Sequence, residues 1–200
     1  SANFKGWYVL NGYNKGDYFI HAMIKGLLDI TAEQKRSHPD FIYSHYSGNH
    51  FTWINDLYSS TQTDLFAGSH ILLGRSGEIN LRFGIHNYEK PVFFNENYLP
   101  AQLVNSINAL SGETILLLGT KSFKTKTNFT WTKLPSSSPI RMPELLVRES
   151  IYGNFRLFKK ALQLQIGTDI TWFSGFYGYS YNPNISQFYI QNDKQIGNYP

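Results

Sequence analysis

Residues Gly77–Tyr88 read Gly-Glu-Ile-Asn-Leu-Arg-Phe-Gly-Ile-His-Asn-Tyr, and apolar and polar side chains alternate along this segment. The odd-numbered apolar set and the even-numbered polar set are Ile79, Leu81, Phe83 and Ile85, against Glu78, Asn80, Arg82 and His86. Side chains of a β-strand point alternately to opposite faces, so this pattern predicts a strand with one apolar and one polar face. Its length is also informative, because a strand needs about 9–11 residues to cross a bilayer, whereas soluble strands average about five or six.

The same alternation recurs in three later segments, Phe123–Trp131, Ile151–Phe158 and Ala161–Trp172. In each of them polar side chains occupy the face that a soluble barrel would bury as its core. Several long strands of this type are typical of membrane-spanning barrels with a hydrated interior. The sequence therefore predicts an all-β fold: an antiparallel, up-and-down transmembrane β-barrel, or a large fragment of one, with residues 1–200 as a single domain.

The composition agrees with this prediction and excludes several other classes. Charged residues make up 16% of the chain, below the roughly 25% of typical soluble domains, while aromatic residues also reach 16%. The longest apolar run is far shorter than the ~18 residues of a membrane-spanning helix. The chain has no cysteine, which excludes disulfides and thiolate metal sites. Its formal charge of +4 is scattered rather than gathered into a basic stripe, so we expect no nucleic-acid partner.

Turn residues divide the chain into short and long connections. The tight join at Lys159-Lys160 is typical of the short-turn end of an up-and-down barrel, and two longer polar segments, Thr31–Asp40 and Pro135–Pro143, would form loops at the opposite end. We interpret Asp17–Ile30 as one long strand with a bulge at Gly26, in preference to a short helix. Between Leu103 and Leu118 two readings stay open: a hairpin centred on Ser111-Gly112, or one long strand that turns near Gly119.

Four stretches carry a resemblance to a known family. They are Ser-Gly-Asn-His-Phe-Thr-Trp-Ile-Asn at 47–55; Arg-Met-Pro-Glu-Leu-Leu-Val-Arg at 141–148 with Ser-Ile-Tyr at 150–152; Leu-Phe-Lys-Lys-Ala-Leu-Gln-Leu-Gln-Ile-Gly at 157–167; and Tyr-Asn-Pro at 181–183 with Gln-Phe-Tyr at 187–189 and Ile-Gly-Asn-Tyr-Pro at 196–200. Together they resemble the putative porins of Bacteroidetes outer membranes. The resemblance implies a β-barrel in a bacterial outer membrane. Because the family continues past the last stretch, we also expect an incomplete barrel, truncated at the C-terminus and at the N-terminus.

In such a barrel the polar face lines the lumen. The lumen-lining candidates are Arg82, His86, Lys124, Lys126, Arg156, Gln163, Gln165 and Asp169. Their excess of positive charge would favour the passage of small anions. The alternative interpretation is that they are ordinary solvated residues whose charges pair with one another or with an inserted loop.

Aromatic side chains near strand ends are candidates for the girdles that membrane barrels place at the headgroup level. The candidates are Tyr88, Trp131, Trp172, Tyr177, Tyr179 and Tyr181. The alternative is a soluble β-protein in which Phe176 and the three neighbouring tyrosines stack against sugars.

No motif for chemistry accompanies this pattern. His38, His45 and His50 lie near turns without a carboxylate at ligand spacing, so we expect no metal and no cofactor. The serines have no nucleophile-elbow context, and we therefore expect no enzyme. The expected partners are outer-membrane lipids and small polar solutes. The alternatives are a plugged barrel that serves as a scaffold for other outer-membrane proteins, and a soluble glycan-binding β-protein.

Overall fold

A computed structural model describes residues 1–120 and 122–198, and it confirms the predicted all-β class. Nine strands form one sheet in which every neighbouring pair is antiparallel and the strands follow one another in up-and-down order. The sheet strands are β1 Ala2–Tyr8, β2 Tyr18–Ile24, β3 Asp29–Ser37, β6 Ser60–Leu72, β7 Gly77–Glu89, β10 Ile107–Gly119, β11 Phe123–Lys133, β12 Leu145–Leu157 and β13 Leu162–Phe173.

The sheet is open. Within the described ranges its edges are β1 and β13, which do not pair with each other. The sheet therefore has the strand order of an up-and-down barrel, but it is not closed into a barrel by pairing of its edges. In the part of the chain that the structure describes, no helix is long and apolar enough to cross a membrane.

The other elements lie in the connections between these strands or, for the last two, after β13. They are helix α1 Phe41–Ser44, strands β4 His45–Ser47 and β5 Thr52–Ile54, strands β8 Val92–Phe94 and β9 Pro100–Gln102, the 3₁₀ turn Phe158–Lys160, and strands β14 Phe176–Asn182 and β15 Gln187–Ile196. Each of the three strand pairs β4–β5, β8–β9 and β14–β15 forms a small antiparallel sheet of its own.

The two ends of the sheet differ in the length of their connections. At one end the strands are joined by residues 25–28, 73–76, 120–122 and 158–161; at the other, by residues 9–17, 38–59, 90–106 and 134–144. The predicted tight join at Lys159-Lys160 is confirmed, with Phe158 and Lys159 both at positive φ (51° and 54°). The predicted loop at Pro135–Pro143 is also confirmed, and it lies at the opposite end. Short turns at one end and long loops at the other are typical of outer-membrane barrels.

Two sequence predictions are wrong. Asp17–Ile30 is not one bulged strand, because β2 ends at Ile24 and residues 25–28 turn the chain into β3, with the Gly26 N–H donating to Asp29 Oδ1 at 3.1 Å. The predicted loop Thr31–Asp40 is mostly strand, since β3 continues to Ser37. Of the two readings left open at Ser111-Gly112, the structure contains the long strand: β10 runs through both residues to Gly119.

The register gives the sheet two chemically distinct faces, because directly opposed residues point to the same side. One face, the apolar face, carries Phe4, Ile20, Ile24, Ile30, Leu65, Ile71, Ile79, Leu81, Phe83, Ile85, Leu110, Leu116, Phe129, Ile151, Leu164, Ile166 and Ile170. Its large side chains are uncovered: Phe83 is 62% exposed and Ile166 is 59% exposed. On the opposite, polar face His21 and Asp64 are only 6% and 7% exposed, whereas the basic side chains of β11 and β12 on the same face are exposed.

The long connections pack into a separate core at one end of the sheet. We call residues 38–59, 90–106 and 174–198 the cap. Its buried centre is formed by Trp53, Phe94 and Ile185, one from each of these three segments. The Trp53 Nε1–H donates to the Ile42 carbonyl at 2.8 Å, and the Tyr46 hydroxyl donates to the Asn184 carbonyl at 2.9 Å. The cap therefore has an apolar core of its own.

Candidate functional site

The eight predicted lumen residues share one face of the sheet. Arg82 and His86 lie on β7, Lys124 and Lys126 on β11, Arg156 on β12, and Gln163, Gln165 and Asp169 on β13. The strand register places all of them on the polar face. Their predicted role as lining of a water-filled lumen stays a prediction.

Cations are concentrated on one half of this face. Lys124, Lys126, Arg148 and Arg156 occupy the neighbouring strands β11 and β12. Among the described residues, none of the four lies within 4.0 Å of a carboxylate oxygen. Asp169 on the adjacent strand accepts instead from the Ser150 hydroxyl at 2.5 Å. These four side chains are exposed, and we call them the basic strip.

Sequence reasoning missed Arg148 because the alternating segment that it recognised began at Ile151. The structure extends β12 back to Leu145, and Arg148 lies opposite Asn128 on the polar face. The signal was available, because the parity of Arg148 matches that of Arg156 eight positions later.

Acids and histidines dominate the other half of the polar face. His21 Nδ1 lies 2.8 Å from Glu33 Oε1, and His70 Nε2 lies 3.1 Å from Glu78 Oε2. Arg82 places its guanidinium carbon 3.7 Å from the centre of the Phe66 ring. The face is thus divided between a histidine-carboxylate region on β2 to β7 and the basic strip on β11 and β12.

The predicted aromatic girdle is only partly assembled on one surface. Trp131 and Trp172 lie on the apolar face near the cap end of the sheet, opposite Leu145 and Val147. Tyr8 and Tyr18 oppose each other on the same face and at the same end, which sequence reasoning missed because their segments alternate too briefly. Amphipathic rings at one level of an apolar band are the arrangement that membrane interfaces favour.

The other girdle candidates lie elsewhere. Tyr88 lies on the polar face, since it has the parity of His86, and its ring stacks on that imidazole at 6.3 Å between centres. Tyr88 therefore does not share the apolar face with Trp131 and Trp172, and its girdle role stays a prediction. Tyr177, Tyr179 and Tyr181 lie on β14, outside the nine-stranded sheet, where the Tyr179 hydroxyl donates to the Pro139 carbonyl at 2.8 Å.

A comparison with protein families fits this architecture. A family model described as "Putative porin" matches residues 1–200, the whole chain. The chain belongs to the putative porin family. No curated protein and no solved structure matches it.

The polar face of this porin-family protein also carries a hydrogen-bond network of three side chains, Asp64, His86 and Ser111. His86 Nδ1 lies 2.7 Å from Asp64 Oδ1, and His86 Nε2 lies 2.8 Å from the Ser111 hydroxyl oxygen. Asp64 Oδ2 accepts from Gln62 Nε2 at 2.8 Å. Sequence reasoning missed the arrangement because its members come from β6, β7 and β10 and only the register brings them together.

An open cleft of about 360 Å³ lies on the polar face, on the short-turn side of this hydrogen-bond network. Its lining includes Phe66, two residues after Asp64 on β6, and Glu113, two residues after Ser111 on β10. Arg82, four residues before His86 on β7, lines it as well. Within residues 1–120 and 122–198 no group of three or more histidines and carboxylates is arranged to hold a metal ion.

One titratable group in the cap is perturbed. Burial raises the pKa of the Tyr43 phenol above its usual value of 10.0, and the negative charge of the nearby Asp40 raises it further. Tyr43 also stacks on Phe94 with 4.7 Å between ring centres. Its neutral form is therefore part of the packing of the cap.

Proposed function

We propose that this protein is a porin-like outer-membrane β-barrel protein through which small polar solutes diffuse passively. The observation that carries the proposal is the division of one sheet into an exposed apolar face and a polar face that carries the charged and hydrogen-bonded side chains. In water such an apolar surface is a liability for a monomer, whereas in a bilayer it is the surface that meets lipid. Membership of the putative porin family supports the same role.

Function in a bilayer requires that both sheet edges be paired. Unsatisfied backbone groups cost several kcal/mol each in hydrocarbon, so only closed barrels are stable there. Under this proposal β1 and β13 each pair with a further strand or with each other when the protein is in the membrane. Diffusion itself needs no chemistry and no cofactor, and the partners are lipids and the solutes.

Solute preference follows from the charge on the polar face. The basic strip presents four cations without paired carboxylates, and rings of Lys and Arg favour anions in aqueous pores. We therefore propose that small anions pass more readily than cations of the same size.

The test is the reversal potential of the purified protein in planar lipid bilayers under a salt gradient. We expect a steady current with anion preference, and a preference reduced or inverted by Lys124→Glu combined with Lys126→Glu. The matched control is Lys15→Glu with Lys133→Glu, which changes the net charge equally but lies off the polar face. A cation preference that the first pair leaves unaltered would remove the anion proposal.

A plugged barrel that serves as a scaffold is the second candidate. It is favoured by the cap, whose three segments share a buried core at one end of the sheet. A plugged barrel predicts no steady current from correctly folded protein in the same bilayers. The presence or absence of that current therefore separates the two candidates.

A further inference from the structure

The hydrogen-bond network formed by Asp64, His86 and Ser111 has the connectivity that activates a serine. A carboxylate only accepts hydrogen bonds, so His86 Nδ1 carries the ring proton and donates to Asp64 Oδ1 at 2.7 Å. This leaves Nε2 as the acceptor for the Ser111 hydroxyl, 2.8 Å away. The acid orients the imidazole and the imidazole can take the serine proton, which is the order found in acyl-transfer triads.

Strand register builds this arrangement. Asp64 and His86 are directly opposed residues of β6 and β7, and Ser111 of β10 lies opposite Gly84. A Cβ on Gly84 would lie 2.5 Å from the Ser111 hydroxyl oxygen and 2.8 Å from His86 Nε2. The missing side chain at Gly84 thus provides the space in which the serine and the imidazole meet.

Aromatic rings hold the imidazole beside an open cleft. The His86 ring stacks on Tyr88 and meets the Phe66 ring edge-on, with 5.3 Å between centres in the second case. Phe66 also lines the cleft of about 360 Å³, together with Arg82 and with Glu113, which lies two residues after Ser111 on β10. Strand N–H groups here belong to the sheet ladder, so the candidate group for opposing a developing oxyanion is a side chain, and Arg82 is a cation that lines this cleft from β7.

We propose that Ser111 is a nucleophile activated by His86 and Asp64, and that the polar face hydrolyses small, water-soluble carboxylic esters. The Ser111 oxygen bonds to the ester carbonyl carbon as His86 Nε2 accepts the hydroxyl proton. The bond to the alcohol oxygen then breaks, and that oxygen takes the proton from His86. Water attacks the acyl-serine in the same way, which releases the carboxylic acid and restores the hydroxyl.

This activity goes beyond passive diffusion and does not depend on it, because it needs only water at the polar face. It also runs against the sequence-based expectation of no enzyme. That expectation rested on local motifs, whereas Asp64 and Ser111 lie 22 and 25 positions from His86. No local motif could have joined them.

The first test is covalent labelling of the folded protein in detergent micelles by a fluorophosphonate, followed by peptide mass spectrometry. The serine oxygen bonds to phosphorus, the P–F bond breaks and fluoride leaves, while His86 accepts the proton. We expect Ser111 to be labelled in the folded protein and unlabelled in a heat-unfolded sample. Folded protein without label on Ser111 would overturn the proposal, and this test needs no variant.

The second test is hydrolysis of p-nitrophenyl acetate. We expect Ser111→Ala to abolish the activity, and Asp64→Asn to lower kcat by a factor on the order of 10⁴, because the wrong tautomer of His86 would be favoured. The matched control is Ser150→Ala, which removes another polar-face hydroxyl bonded to a carboxylate, that of Asp169, but without an imidazole. Equal rates for Ser111→Ala and the unaltered protein would contradict the proposal.

A pH profile separates catalysis from a purely structural role. Neutral His86 accepts the serine proton and protonated His86 does not, so the rate should rise with pH as the imidazole loses its proton. The groups that face the imidazole are Asp64, Ser111, Tyr88 and Phe66. A rate that is flat across the range in which histidine titrates would contradict the role of His86 as a base.

Discussion

The cap and the apolar face of the sheet use the same kinds of side chain in opposite ways. In the cap, Trp53 and Phe94 are 7% and 2% exposed, and their rings contact each other. On the sheet, Phe83 and Ile166 have most of their area uncovered. Complete burial of such a side chain stabilises a protein by about 1.5–3 kcal/mol in water. In the cap this burial, and the stabilisation that comes from it, is achieved within the chain. The apolar side chains of the sheet would gain it only by contact with something outside the described residues.

This difference is the one expected if the two regions meet different solvents. The cap has apolar groups inside, and its Trp53 Nε1–H donates to a carbonyl, as in water-soluble domains. The sheet differs, since its apolar face is exposed, while polar side chains such as His21 and Asp64 are buried on the other face. Glu149 is an exception on the apolar face, and its carboxylate accepts from the opposite Thr127 hydroxyl at 2.5 Å.

The largest expected effect comes from Trp53→Ala. Removing a buried tryptophan costs about 3–5 kcal/mol and here also leaves the Ile42 carbonyl without its donor. We expect the cap to open while the sheet stays folded, measured by amide hydrogen exchange resolved by peptide. The control is Trp7→Ala on β1, which removes an exposed indole. Equal loss of protection in cap and sheet would show that the two regions are not independent.

The next effect concerns the sheet and depends on the solvent. Ile166→Arg places a charge on the apolar face near the middle of β13, where lipid would make it cost about 2–4 kcal/mol. Gln165→Arg, one residue earlier on the polar face, should have little effect. Denaturant unfolding of both variants in lipid vesicles measures the difference. The same small cost for both would mean that the apolar face meets water.

The smallest effect is a pH dependence confined to the cap. Because burial and nearby charge raise the pKa of Tyr43 in the folded protein above 10.0, the folded cap holds the phenol proton more tightly than the unfolded chain does. Tyr43 therefore adds stability below about pH 10, and this is lost as pH rises through the folded pKa. The protection of cap amides relative to the unfolded chain at the same pH should fall above pH 10. Tyr43→Phe should remove that fall, and an unchanged fall would assign it to another group.

Much of the sheet could be predicted because the alternation of apolar and polar residues in a strand is visible in the local sequence. The strand predicted from this alternation at Gly77–Tyr88 is confirmed, and prediction failed where the alternation is weak. Gly112 follows a serine and so resembles a turn residue in the sequence, yet it lies in the middle of β10. The rings of Phe83 and Trp131 lie within van der Waals distance of the position that a side chain at Gly112 would occupy. Flanking aromatic side chains can compensate for glycine in a strand.

The cap and the serine network could not be predicted in the same way. Tyr46 and Asn184 are joined by a hydrogen bond across 138 positions, and no local pattern carries that pairing. The Ser111 contact depends on the register of β7 and β10, which a shift of one residue would abolish by moving the serine to the other face. Polarity of the face was predictable, but the contacts between its members were not.

The central claim is that the two faces of the sheet meet different solvents. The chain has no cysteine, so single cysteines at positions 78–83 and 85 can carry nitroxide spin labels without any other change; position 84 is left out because a side chain there would clash with Ser111 and His86. In lipid vesicles, collision rates with oxygen, which enters the bilayer, should peak at the odd positions, and those with a water-soluble nickel chelate at the even ones. Two profiles that rise and fall together would contradict the account.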